Sequence, residues 1–278
     1  MTITTGAILL LLVLSGVLVL IWKCLNALYA RHEKRLQLKS ETVQGALEEV
    51  FPGCSYDPRR CLDREFISGT RLINDWNELS GNDYVSGAYK GHSIEMSDIH
   101  LVKHERTRQR NSKGHWVEKE TRVTRFSGQW VACKLDKPLP GMLRLRENVE
   151  HHGAMKMLFG ERRRTKDDVE TENVAFNSQF QILTGDPHTA FYVLTPHFME
   201  YIVSADRKAG GRTCLCFSGQ WVHIAVHNNR DAFELKWGNK DAKDIPAYKA
   251  RIRQEIDYIT GILDELFRNE KLFSKEGT

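Results

Sequence analysis

The chain opens on an uninterrupted apolar run. Residues Gly6 to Trp22 read GAILLLLVLSGVLVLIW without a charge, and Leu25, Ala27, Leu28 and Tyr29 continue the apolar character past Lys23. A helix needs roughly 17–25 such residues to span a bilayer. Lys23 sits where its ammonium reaches the headgroups, and Trp22 and Tyr29 suit an interface. The first residues, MTITTG, carry no Lys or Arg. That is unlike the basic start of a cleaved signal peptide. Residues 1–30 are therefore expected to be a transmembrane anchor, with the bilayer as partner through residues 6–22. Five basic residues follow the run (Lys23, Arg31, Lys34, Arg35, Lys39) and none precedes it. Positive charge stays on the cytoplasmic side, so the expected arrangement is N-terminus outside, domain in the cytoplasm, at the inner (plasma) membrane.

The pattern then changes. Residues 31–53 are charged with apolar positions at Leu36, Leu38, Val43, Leu47 and Val50, which predicts a helical stalk ended by Phe51-Pro52-Gly53. Residues 54–278 form the soluble part. Short elements and loops are expected over 54–82. Strands are expected over 83–90, 93–104, 116–126 and 129–135, with the polar run 105–114 as a loop at a hairpin tip. Further on, a turn at Gly185-Asp186-Pro187 precedes a strand over 191–193 and a helix over 196–205 opened by Pro196. A strand pair covers 213–226. A closing amphipathic helix over 244–271 puts Ile252, Ile256, Ile259, Ile262, Leu263, Leu266 and Phe267 on one face. The fold class is α+β, mainly antiparallel sheet with flanking helices. The hexapeptide FSGQWV occurs twice, at 126–131 and 217–222. The reading favoured is two equivalent β-turns with buried Phe and Trp, and a hint of two related β units.

A net charge of +4 does not point to nucleic acid, which calls for a stronger basic excess and more aromatic interleaving. Six cysteines at irregular spacing make a poor disulfide framework and fit reduced thiols. GxxxxGK[ST], GxGxxG, GxSxG and HExxH are absent. No cofactor, metal or catalytic residue is assigned. The pairs His100/His104, His223/His227 and Cys214/Cys216 would share strand faces, and they read as core-edge side chains rather than ligands. Two basic clusters stand out: Arg106, Arg108, Arg110 and Lys113, and then Arg162, Arg163, Arg164 and Lys166. Solvated loop charge is the ordinary reading. Contact with anionic lipid is the functional one, at about 1 kcal/mol per basic residue near the surface.

Three blocks carry a resemblance: VETENVAFNSQF (169–180), AFYVLTPHFMEY (190–201) and the stretch 217–226. Together they resemble the bacterial DUF3137 family of membrane-associated proteins of unknown function, over roughly 80–235, with LTPHFME the most specific part. Family members also begin with hydrophobic segments, and this chain has one where others have two. The resemblance implies membrane association and no catalytic residues. The function expected is a membrane-tethered interaction module that binds a protein or lipid headgroup. The alternative is an enzyme of unrecognised type.

Overall fold

The structure is a computed structural model and describes residues 2–110, 115–148, 166–209, 211–234 and 245–268. Helix α1 (Thr2–Glu48) runs without a break from the apolar stretch into the domain. Its apolar side chains from Leu12 to Tyr29 point outward on all sides, and it is long and apolar enough to cross a membrane. Burial begins at its C-terminal end, where Val43, Ala46 and Leu47 are fully covered. The elements that follow are β1 (Ser55–Asp57), α2 (Arg64–Gly69), β2 (Glu78–Tyr89), β3 (His92–Arg110), β4 (Trp116–Lys134), β5 (Leu143–Glu147), β6 (Asp168–Val169), α3 (Val174–Gln179), β7 (Phe180–Thr184), α4 (Pro187–Val193), α5 (Pro196–Ala209), β8 (Arg212–Ser218), β9 (Trp221–His227) and α6 (Ile245–Phe267).

All the strands join one antiparallel nine-stranded sheet, ordered β1-β2-β3-β4-β9-β8-β5-β7-β6. Alternation along each strand gives the sheet two buried faces. One packs Met96, Val131, Leu145, Leu215 and Ile224 under the end of α1, α5 and α6. The other packs Leu101, Phe126, Trp130 and Ala225 under Leu62, Ile67 and Leu72, which flank or belong to α2. The α+β reading and the closing helix stand, with Ile252, Ile256, Ile259, Ile262, Leu263 and Leu266 all buried.

Three local expectations are corrected. Residues 105–110 are strand rather than loop: β3 and β4 stay paired out to Arg110↔Trp116. β-formers (Thr107, Val117, Thr121) and opposite charges facing each other hold a ladder that has no apolar face to announce it. Residues 191–193 are helical, because Asp186 caps α4 by accepting the His188 amide at 3.1 Å while Pro187 fills its first turn. Third, the two copies of FSGQWV do not share a backbone. Residues 217–222 turn the chain between β8 and β9, with Gly219 at φ +57°. Residues 126–131 run straight through β4, with Gly128 at φ +150°. A Cβ on Gly128 would meet the Val226 carbonyl of β9. Trp130 is fully buried, whereas Trp221 is half-exposed against Phe66.

Candidate functional site

Two parts of the domain concentrate chemistry. The first is the outer end of the β3–β4 hairpin. β2 pairs with β3 only as far as Val102, and β9 pairs with β4 only from Gly128 onward. Beyond those points β3 and β4 continue as a two-stranded ribbon whose outer edges carry no strand. Residues opposite one another share a face, so Arg106/Glu120, Arg108/Glu118 and Arg110/Trp116 line one side. Arg108 meets Glu118 at 3.2 Å, and the Arg110 guanidinium lies 5.3 Å from the Trp116 ring centre. Trp116 is 65% exposed at the end of the strand. At the ribbon's base His104 bridges Glu78 and Glu120, and Arg122 meets Glu78 at 3.2 Å. An open cleft of about 700 Å³ lies there among Arg64, Asn77, Glu78, His104, Arg106 and Glu120.

The structure thus places Arg106, Arg108 and Arg110 on one exposed strand. Lys113 and Arg162, Arg163 and Arg164 lie outside the described residues. Lys166 is exposed just before β6, the far edge strand, five places from β4 in the sheet. The described members of the two basic clusters are therefore not brought together.

The second part is a buried charge cluster between α1 and the sheet. An irregularity in β2 between Asn82 and Val85 turns Asp83 inward at φ +59°. There Asp83 accepts from Lys39 Nζ of α1 at 2.7 Å, from Asn82 Nδ2 at 2.9 Å and from the Tyr56 hydroxyl. Lys39 and Asp83 are 6% and 0% exposed, so this pair is shielded from water. Carboxylate oxygens of Asp98 and Asp231 lie within 4.8 Å of Asp83's and of each other. Asp98 Oδ2 accepts the Ala232 amide at 2.7 Å, while its Oδ1 is buried with no donor among the described residues. Burial pushes the Asp83 carboxyl up to about 6, against the pull of Lys39 and Tyr56. Burial pushes Asp98 well above the usual carboxylate range, helped by the charges of Asp231 and Asp83. The Lys39 ammonium supplies the counter-charge that a metal ion would bring, and it anchors the stalk to the sheet.

Sequence reasoning missed this cluster. Its clearest local signal is Lys39 itself, which occupies the apolar stripe of α1 with Val43 and Leu47. The pair Asn82-Asp83 inside a strand-like run is a second, weaker signal.

The histidine and cysteine pairs sit at differing depths: His223 and Cys216 are buried, whereas His100 and His104 are half-exposed, His104 lining the cleft at the ribbon's base. His223 receives the Trp130 indole N–H at 3.4 Å and packs on Phe66. His227 Nδ1 accepts the Ser127 amide at 2.8 Å. Burial pulls both imidazoles down to about 4. Cys216 is buried and its thiol is pushed up to about 12. Beside Cys214 and Cys216, Arg144 and Arg146 of β5 both donate to the Arg71 carbonyl. A cleft of about 420 Å³ opens where α5 and α6 meet the sheet, lined by Gln129, Tyr201, Ser204, Asp257 and Tyr258 among others. The Gln129 amide nitrogen there is buried with no hydrogen-bond partner among the described residues.

A family model described as "Protein of unknown function (DUF3137)" matches residues 124–268, just over half of the chain. The chain belongs to the DUF3137 family. The matched region begins within β4 and takes in α6, so it lies further along than the resemblance over 80–235 placed it. α1, the Lys39 anchor and most of the ribbon precede it. No curated protein matches the chain by sequence. Among solved structures, the crystal structure of the mycobacterial trehalose monomycolate transport factor A, TtfA, aligns at 12% identity with a TM-score of 0.39, covering 80% of this chain and 95% of that chain.

Proposed function

We propose that this DUF3137 protein is a membrane-tethered interaction module whose domain works at the cytoplasmic face of the bilayer and binds a protein or a lipid headgroup there. The observation that carries the reading is the continuity of α1. One helix serves as apolar span, stalk and part of the core; Lys39–Asp83 at 2.7 Å joins it to the sheet, and Arg35–Glu234 at 3.2 Å and Glu33–Arg59 at 2.7 Å join it to loops beside the sheet. A domain fixed in this way meets its partners at a set height above the membrane. The cytoplasmic side follows from the basic residues that flank only the domain end of the span.

The test has two arms. The full chain should stay with membranes through alkaline carbonate extraction, and a chain lacking residues 2–30 should not. A reporter active only in the cytoplasm, fused after Thr278, should be active. Activity only of a periplasmic reporter would overturn the orientation. The cleft beside Gln129 favours a second reading, a small-molecule site or an enzyme. A saturable rise in Tm with a metabolite, lost on filling the cleft by Ser204→Phe, would establish it.

A further inference from the structure

We infer that the β3–β4 ribbon is a second membrane contact, laid on the anionic headgroups of the leaflet from which α1 emerges. The inference rests on the tether reading above and adds a surface and a lipid chemistry to it. The direction of the ribbon comes from three landmarks. Lys39 of α1 touches Asp83 of β2, and Phe51, just past α1, packs on Tyr89 at the end of β2, ring centres 5.7 Å apart. From Lys39 to the end of α1 at Glu48 is about 14 Å of helical rise, and a short turn leads on to Phe51. From Asp83 to Tyr89 is about 20 Å of strand. The two elements therefore run side by side in the same direction. The third landmark agrees: Glu33, nearer the span, holds Arg59 just beyond β1 at 2.7 Å. Going back along α1 toward the membrane is thus going back along β2 toward Glu78, and forward along its antiparallel neighbour β3 toward Arg110.

The lengths decide whether the ribbon arrives. From Lys39 back to Trp22, the end of the uncharged run, is about 26 Å of helix. From Asp83 to Glu78, across to Val102 and on to Arg110, the sheet extends about 42 Å the same way. The ribbon outreaches the stalk, and its end meets the membrane plane for any divergence from the α1 axis below about 50°. What it presents there fits a headgroup layer. Residues 105–110 and 116–122 carry five basic and three acidic side chains. Trp116, 65% exposed beside Arg110, is of the type that settles at interfaces. On this polar ladder the Trp116 ring is met by the Arg110 guanidinium, and it lies in neither buried cluster of the described residues.

The test uses the full chain in liposomes, with exposed Cys24 changed to Ser. A spin label is placed at Val117→Cys on the ribbon, or at Lys90→Cys at the opposite end of β3. Accessibility to an aqueous nickel chelate and to oxygen gives each label's depth. In liposomes containing phosphatidylglycerol, the label at 117 should be shielded from the chelate and the one at 90 fully accessible. Neutral phosphatidylcholine liposomes should lessen the shielding, and so should Arg106→Gln with Arg108→Gln and Arg110→Gln. Each neutralised residue is expected to weaken the contact by up to about fivefold, less where Glu118 and Glu120 already pair. Equal access at 117 and 90 in anionic liposomes, from a chain that resists alkaline extraction, overturns the inference and leaves the tether standing. A chain that alkali extracts has failed the tether instead. Shielding that ignores lipid charge and the three substitutions overturns the headgroup assignment.

Discussion

At the scale of single residues, the repeated hexapeptide shows that identical neighbours do not fix a role. Trp130 lies on the closed face of the sheet, and Trp130→Ala should cost about 3–5 kcal/mol. Trp221 caps the edge of the α2 layer half-exposed, and the same change there should cost roughly 1–2 kcal/mol. Gly219→Ala carries the left-handed strain of about 1–2 kcal/mol alone. Gly128→Ala adds an overlap with the Val226 carbonyl and should be the worse of the two. Urea midpoints of the four variants check the order.

The buried acids differ in the same way. Asp83→Asn strands the Lys39 ammonium and should cost about 3–5 kcal/mol at pH 7. Burial and the charges of Asp231 and Asp83 push the Asp98 carboxyl up, so the uncharged Asp98→Asn should stay within about 1 kcal/mol of the parent. The pH dependence follows with its sign. Asp83 titrates near 6 in the fold against 3.8 unfolded, so its contribution is present below 3.8 and is lost as pH rises through 6. His223 and His227 titrate near 4 in the fold against 6.5 unfolded, so theirs is present above 6.5 and is lost as pH falls toward 4. The two trends oppose each other between pH 4 and 6. His227→Gln keeps an acceptor for the Ser127 amide, and it should lose less stability than the parent between pH 6.5 and 4.

At the scale of elements, legibility followed periodicity. α1 and α6 each bury one regular stripe, the β8–β9 pair is a near-continuous run of β-formers buried on both faces, and each was legible in the sequence. The ribbon was not, because both its faces are polar and its order comes from pairing across strands, which no single strand displays. α4 was missed because three apolar residues at 191–193 outweighed the cap at Asp186. The charge cluster was the least legible part: Lys39 and Asp83 are 44 positions apart, and Asp231 is a further 148 along. Lys39's place on an apolar stripe and, more weakly, Asn82-Asp83 within a strand-like run marked it. The basic residues were readable as a cluster, but their place on a projecting strand was not. α1 also yields an element-level prediction. Inserting Gly-Ser-Gly-Ser after Ala30 interrupts the helix in an exposed stretch and touches no core contact. The domain should keep its Tm, while the label at Val117 should lose its shielding in anionic liposomes, because the stalk no longer aims the ribbon.

At the scale of the whole molecule, a single sheet carries the anchor's continuation near one edge and the DUF3137-matched strands across its other half. Between Lys23 and Gln44 the long helix has neither glycine nor proline, so the domain has no hinge there. That stiffness makes the protein responsive to hydrophobic mismatch. A span longer than the local hydrocarbon thickness tilts to fit it, and a stiff stalk passes the tilt to everything beyond. From the Lys39–Asp83 contact to the end of the ribbon the sheet is a lever about 42 Å long, so a 10° change of tilt displaces that end by roughly 7 Å. Reconstitution in lipids of increasing acyl length should therefore shift the depth of a label at Val117 stepwise, while the Gly-Ser-Gly-Ser insertion should abolish the dependence. On this account the rigid stalk converts bilayer thickness into a change in how firmly the domain rests on the surface.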